Sequence, residues 1–170
     1  MEVFEAILSR IEVREYSGES VPDDVKLKIL EAARMSPTGL NLQHWRFILV
    51  EDKDSIRRLA ELSTTGKWVA GADFAIIVLT DPKYPFHLID AGRAIQNMQL
   101  TAWSMGVGSC IYTGVREREM KKEYRIPEDL TIAAVVGFGY PKRKIKGLKN
   151  RRRLSEIAFS ERFGEKLRLI

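Results

Sequence analysis

Three observations predict an α+β fold, a helix-flanked β-sheet in one domain. Residues 45–50, 74–80 and 131–137 are too apolar, and too rich in β-branched and aromatic side chains, to be anything but buried strands. The segments between them carry apolar residues at helical rather than alternating spacing. A chain of 170 residues with 45% hydrophobic content is long enough to bury a real core, and no linker or internal repeat divides residues 1–170.

Val3, Phe4, Ile7, Leu8 and Ile11 predict a short amphipathic helix with Arg10 at its end, followed by an extended stretch from Val13 to Tyr16. Pro22, Asp23 and Asp24 open a second helix, because proline suits the first turn and acids suit the helix N-terminus. Val25, Ile29, Ala32 and Ala33 carry that helix to Met35. The strand at 45–50 is followed by a helix at 55–62 with Asp54 as its expected N-cap. A Gly-bearing connection at 64–71 leads to the strand at 74–80.

The connection at 81–86 is short and turn-like, and residues 88–105 form the longest helix. Its apolar and small residues Ile89, Ala91, Ala94, Ile95, Met98, Ala102 and Met105 span a wide arc, as expected of a central buried helix, with Trp103 assigned to the core. Gly106 and Gly108 stop it. A brief strand at 109–112, an exposed charged helix at 117–124, the strand at 131–137 and a short helix near 154–159 complete the body. Residues 160–170 carry Phe163, Leu167, Leu169 and Ile170 where a fraying tail is expected to be polar.

Composition excludes several classes. No apolar run approaches the roughly 18 residues of a membrane span. The acidic, amphipathic start is unlike a signal peptide, and one cysteine, Cys110, suits a reducing cytoplasm. With one Cys and two well-separated His there is no zinc-like cluster, and no metal site is expected. Net charge is +5, but residues 142–153 hold eight Lys or Arg and no acid, which leaves the remainder at −3. That run has no interleaved aromatic residues and no accompanying nucleic-acid motif, so it reads as a solvated stretch able to anchor a phosphate rather than as a nucleic-acid footprint. Gly106-Val107-Gly108 and Gly137-Phe138-Gly139 both fail the GxGxxG pattern, and there is no Walker lysine or GxSxG elbow.

The stretch from Ser36 to Trp45, SPTGLNLQHW, organises the rest. Pro37 disfavours helix at Ser36, and Gly39 permits a positive φ or close backbone approach. Thr38, Asn41, Gln43 and His44 place donors and acceptors between two buried elements, the pattern of a ligand loop on a rigid scaffold.

The segment SPTGLNLQHWRFILV resembles the S-P-(S/T)-x-x-N-x-Q-P-W-x-F loop of the nitroreductase family. SRIEVREYS is similar to that family's R-R-S-x-R-x-(F/Y) opening, DAGRAIQNMQLTAWSMGVGSC to its central helix and VVGFGYP to its last core strand. His44 stands in place of the usual Pro, and Ile11-Glu12 in place of a basic residue and Ser.

The resemblance implies a nitroreductase-like fold with a central mixed sheet, an intertwined homodimer, and FMN at the interface. It also implies NAD(P)H as co-substrate and a ping-pong transfer of hydride through FMN N5 to a small electron-poor acceptor, a nitroaromatic or quinone. Alternatives are specialised oxidative or dehalogenating chemistry in the same family, or a flavin-binding protein without turnover. On the family's pattern Arg10 and Arg14, with Ile11 and Glu12 between, serve the phosphate-ribityl side and the pyrimidine edge. Glu12 is expected to point away, since it would repel a phosphate. Lys149 and Arg151 match the phosphate clamp, with Arg152 and Arg153 as alternatives. Pro37, Thr38, Gly39 and Asn41 are implied to reach FMN held mainly by the other subunit. Ile111, Tyr112, Thr113 and Gly114 are implied to lie against the ring near N5. No side-chain acid or base is needed. Trp68, Tyr84 and Phe86 either line the substrate mouth or pack in the core. Residues 160–170 are implied to be an extension that packs on the partner, and the short 81–86 connection implies a pocket without a long roof insertion.

Overall fold

The computed structural model describes residues 1–143 and 149–169. Its centre is a four-stranded sheet of β1 (Arg46–Val50), β2 (Phe74–Thr80), β3 (Gly108–Tyr112) and β4 (Thr131–Gly139), in the order β1-β2-β4-β3. All three strand pairings are antiparallel. The parallel component of the sheet is an isolated bridge from Glu12 to Ser109 on the outer side of β3. A register shift between Val78 and Leu79 bends β2 against β4.

Strand β2 is buried along its whole length, so its alternating side chains feed two separate cores. Phe74, Ile76 and Val78 join Ala134, Val136 and Phe138 beneath α2 (Asp23–Arg34) and α4 (His87–Ser104). The rings of Phe74 and Phe138 stack with centroids 4.8 Å apart on facing positions of β2 and β4. On the other face Ala75, Ile77 and Leu79 meet Ile56 and Leu59 of α3 (Lys53–Glu61) and Met120 of α5 (Glu117–Glu123). The Lys67–Gly71 3-10 turn closes that side through Val69. The sheet is a double-sided wall.

Differences from expectation have physical causes. Helix α3 begins two residues early, because Asp52 rather than Asp54 accepts the Ser55 N–H at 2.8 Å. Helix α1 (Val3–Ser9) forms, but among its residues Ala6 alone is buried, and Phe4 is 69% exposed: the apolar face looks outward. On α4 the wide-arc reading misplaces two neighbours, since Ile89 is exposed and Asp90 is buried. Trp103 is half-buried at the end of α4, with its Nε1–H donating to Ser9 Oγ at 2.9 Å. Helix α5 is exposed except for Met120 and Lys121.

The last helix, α6 (Leu154–Ile157), is exposed. Beyond it the chain turns back on itself through a bridge between Phe159 and Lys166, with positive φ at Glu161 and Gly164. Phe163 and Leu169 project outward, 93% and 86% exposed. Ile170 and basic residues Lys144 and Lys146 lie outside the described residues.

Candidate flavin site

The expected residues fall into two groups, held at opposite ends of α4. The first group surrounds the exit of α1. Residues Glu12 and Val13 run beside β3, with the Val13 N–H donating to Ser109 O at 2.9 Å. Tyr16 anchors the far end by donating its hydroxyl to Val13 O at 2.8 Å. Arg10 is thereby directed inward: its Nη2 pairs with Glu12 Oε1 at 2.6 Å, while its buried Nη1 has no partner among the described residues. A buried guanidinium nitrogen with no acceptor costs free energy in the isolated fold, and it marks where an anion fits.

Lys149 and Arg151 join this group. The Lys149 amine donates to Ile7 O at the end of α1. Burial holds its pKa below the usual lysine range, and the nearby charges of Arg10 and Arg151 add to that, opposed by Glu12. Three cations therefore converge here. Arg151, Arg152 and Arg153 are all exposed; Arg151 Nη1 donates to Asn150 O at 2.9 Å, and the Arg153 backbone N–H donates to Glu156 Oε2 at 2.8 Å.

Arg14 faces a cleft of about 470 Å³ lined also by Ile11, Glu12, Val13, Glu15, Pro141 and Arg143. The Ile111 N–H donates to Glu12 Oε2 at 3.3 Å, which ties the end of β3 to the same strand of chain. Thr113 is exposed and Gly114 partly so, with a Cβ at Gly114 meeting the hydroxyls of Thr64 and Thr65 at 2.5 Å. Tyr112 is different: its ring is in the core, edge-on to Trp68 at 5.7 Å, with a buried hydroxyl lacking a partner. Trp68 packs there too.

Glu12 is a correction. It does not turn away from the cations but bridges Arg10 and Ile111.

The second group is the 37–41 loop. Leu40, Asn41 and Gln43 all take positive φ, an unfavourable conformation for such residues that surrounding contacts must enforce. Thr38 Oγ1 accepts the Gln43 N–H at 3.1 Å, and Asp90 Oδ2 accepts the Gly39 N–H at 2.9 Å. Gly39 lies against the ring of Phe86, which a Cβ would meet at 2.5 Å. His44 is buried with Nε2 3.2 Å from Asp90 Oδ2, and its ring packs on Tyr84 with centroids 5.3 Å apart. Tyr84 and Phe86 thus back the loop. Asp90 holds this loop to α4 and is a residue that the sequence pattern does not single out.

The two groups do not meet in one protomer. The loop hangs on Asp90 and the Arg10 segment on Trp103, thirteen residues along α4, or about 20 Å at the helical rise.

Comparison with known proteins agrees with this architecture. The family described as "Nitroreductase family" matches residues 7–81 and 63–140. A protein of Archaeoglobus fulgidus, provisionally named NADH dehydrogenase/NAD(P)H nitroreductase, is 35% identical over 151 residues, covering 83% of this chain and 86% of the relative. An iodotyrosine deiodinase of Thermotoga neapolitana is 27% identical, covering 82% and 88% of the two chains. Among solved structures, a Bacteroides thetaiotaomicron protein with the same provisional name as the Archaeoglobus relative superposes with TM-score 0.87 at 27% identity, covering 94% of this chain and 98% of that one. On the family match and the 35% identical relative, the chain belongs to the nitroreductase family.

Proposed function

We propose that the protein is an FMN-dependent NAD(P)H oxidoreductase whose site is completed by a second copy of the chain. The observation that carries this reading is the buried Nη1 of Arg10, unpartnered among the described residues, beside Lys149 and Arg151. Such a cluster suits a phosphate monoester, which carries roughly −1.5 to −2 charge near neutral pH. A bound FMN would supply the redox chemistry, hydride exchange between NAD(P)H and an electron-poor acceptor such as a nitroaromatic or a quinone.

The chain's own residues bind and orient. Arg10, Lys149 and Arg151 hold the phosphate. Arg14, facing the adjoining cleft, serves the pyrimidine edge. Ile111, Tyr112, Thr113 and Gly114 present the end of β3 to the ring, Tyr112 through its backbone because its ring is engaged in the core. Pro37, Thr38, Gly39 and Asn41 reach the flavin of the partner, since α4 separates them from the cations of their own protomer.

Several features support a homodimer. Val3, Phe4, Ile7 and Leu8 of α1, Leu88 and Ile89 of α4, and Leu154 and Ile157 of α6 are exposed apolar residues. Residues 160–170 make a C-terminal extension whose outward Phe163 and Leu169 pack on the partner. Strand β1 has no outer neighbour among the described residues and offers a place for strand pairing. No described helix is long and apolar enough to cross a membrane, and we place the enzyme in the cytoplasm. The deiodinase relative favours a second reading, reductive dehalogenation of an aromatic acceptor.

The test is direct. Purified protein reconstituted with FMN should bleach on anaerobic addition of NADH or NADPH and recolour with a nitroarene or quinone. FMN that stays bound but is not reduced by either nicotinamide would leave a carrier rather than an enzyme.

A further inference from the structure

We propose that Glu12 is a built-in counterion of the anion site and sets how strongly the protein discriminates FMN from riboflavin. This rests on the flavin reading above. Glu12 Oε1 lies 2.6 Å from Arg10 Nη2, while Arg10 Nη1 is buried and has no partner among the described residues. One edge of the guanidinium is therefore committed to a carboxylate of the same chain, and the other waits for a ligand. Glu12 Oε2 also accepts the Ile111 N–H at 3.3 Å, which holds the carboxylate beside Arg10 although its side chain is 35% exposed.

The charge balance gives this arrangement its consequence. Arg10, Lys149 and Arg151 converge, and Glu12 reduces their sum from three positive charges to two. An incoming phosphate meets fewer uncompensated cations and one fixed like charge. That charge opposes FMN but not riboflavin, which lacks the phosphate. Arg10 also has one of its five N–H donors already paired with Glu12, so fewer of them are left for a phosphate. Glu12 thus lowers phosphate affinity in two ways, by repulsion and by competing for the donors of Arg10.

The experiment uses the full chain stripped of flavin, with FMN and riboflavin binding followed by quenching of flavin fluorescence and inorganic phosphate as competitor. Glu12→Gln keeps the side-chain length and one acceptor but removes the charge. Glu12→Ser is the second variant, and thermal melts of both confirm folding. Glu12→Gln should bind FMN about tenfold more tightly, the size of one carboxylate's repulsion a few ångströms away in a half-wet site. Riboflavin affinity should change less than twofold, and inorganic phosphate should compete at lower concentration. An unchanged or smaller preference for FMN over riboflavin in both folded variants overturns the proposal and makes Glu12 a tether for Arg10. Should the wild type bind neither flavin, the flavin reading fails by itself. The phosphate arm then decides on Glu12: tighter phosphate binding by Glu12→Gln, read from thermal shift, supports the counterion, and an unchanged shift refutes it.

Discussion

The side chain of Asp90 accepts the backbone N–H of Gly39 at 2.9 Å across 51 positions of sequence. The carboxylate is buried and also lies within reach of His44, so the 37–41 loop, the entry to β1 and the first turn of α4 are tied at one point. Asp90→Ala should leave His44 Nε2 and the Gly39 N–H without a partner, costing about 1–3 kcal/mol for such a buried group. Chemical denaturation reads the stability loss, and FMN titration should show weaker retention at the same time. A variant that loses stability but keeps full flavin affinity would separate the loop from the site.

Gly39→Ala tests the same loop through shape. A Cβ there would meet the Phe86 ring at 2.5 Å, so either the ring or the loop must move, at a cost of about 1–3 kcal/mol for overpacking. Gly39→Ala in a Phe86→Leu background should recover part of the lost flavin affinity. Absence of recovery would show that backbone conformation, not the ring, limits this position.

The phosphate clamp predicts a difference between ligands. Lys149→Ala with Arg151→Ala removes two of the three converging cations, each charge-assisted bond contributing about 1.5–3 kcal/mol. FMN affinity should fall at least a hundredfold, with riboflavin affinity nearly unchanged. Equal losses for both flavins would move the clamp to Arg152 or Arg153.

Cys110 should be chemically quiet in the folded protein. Burial pushes its thiol up to about 11, with Glu12 reinforcing and Arg14 opposing the shift. Because the folded value exceeds the ordinary thiol value near 9, the neutral thiol favours the fold at neutral pH. That contribution shrinks as pH rises from about 9 to about 11. Alkylation at pH 8 should be slow until denaturant is added, and Cys110→Ala should flatten the alkaline loss of stability.

Removing residues 160–170 should weaken self-association and FMN retention together, as sedimentation and flavin absorbance would report. A truncated protein that remains dimeric and fully loaded would refute the role of the tail.

Much of the scaffold was legible because β2, β4 and α4 announce themselves: runs buried on both faces admit few polar residues, and periodicity then fixes the element. The outward face of α1 was not, since Val3, Phe4, Ile7 and Leu8 have helical spacing whether the covering surface is the same chain or another. The cation group was readable from Arg10 and the basic run, but the inward turn of Glu12 depends on a backbone N–H at Ile111, 99 positions away. The Asp90 tie was hidden for a similar reason. An acid between Ile89 and Ala91 looks like the polar edge of a helix until the loop that it holds is in place.

The length of α4 between Asp90 and Trp103 has a consequence for mixed assemblies. Under the proposed dimer, each flavin takes its cations from one protomer and its covering loop from the other. Two inactive chains, one altered at Arg10 and one at Asp90, would then complement each other on mixing. One site of the hybrid would collect both lesions and the other neither, so activity up to half that of the native dimer would return from parents that have none.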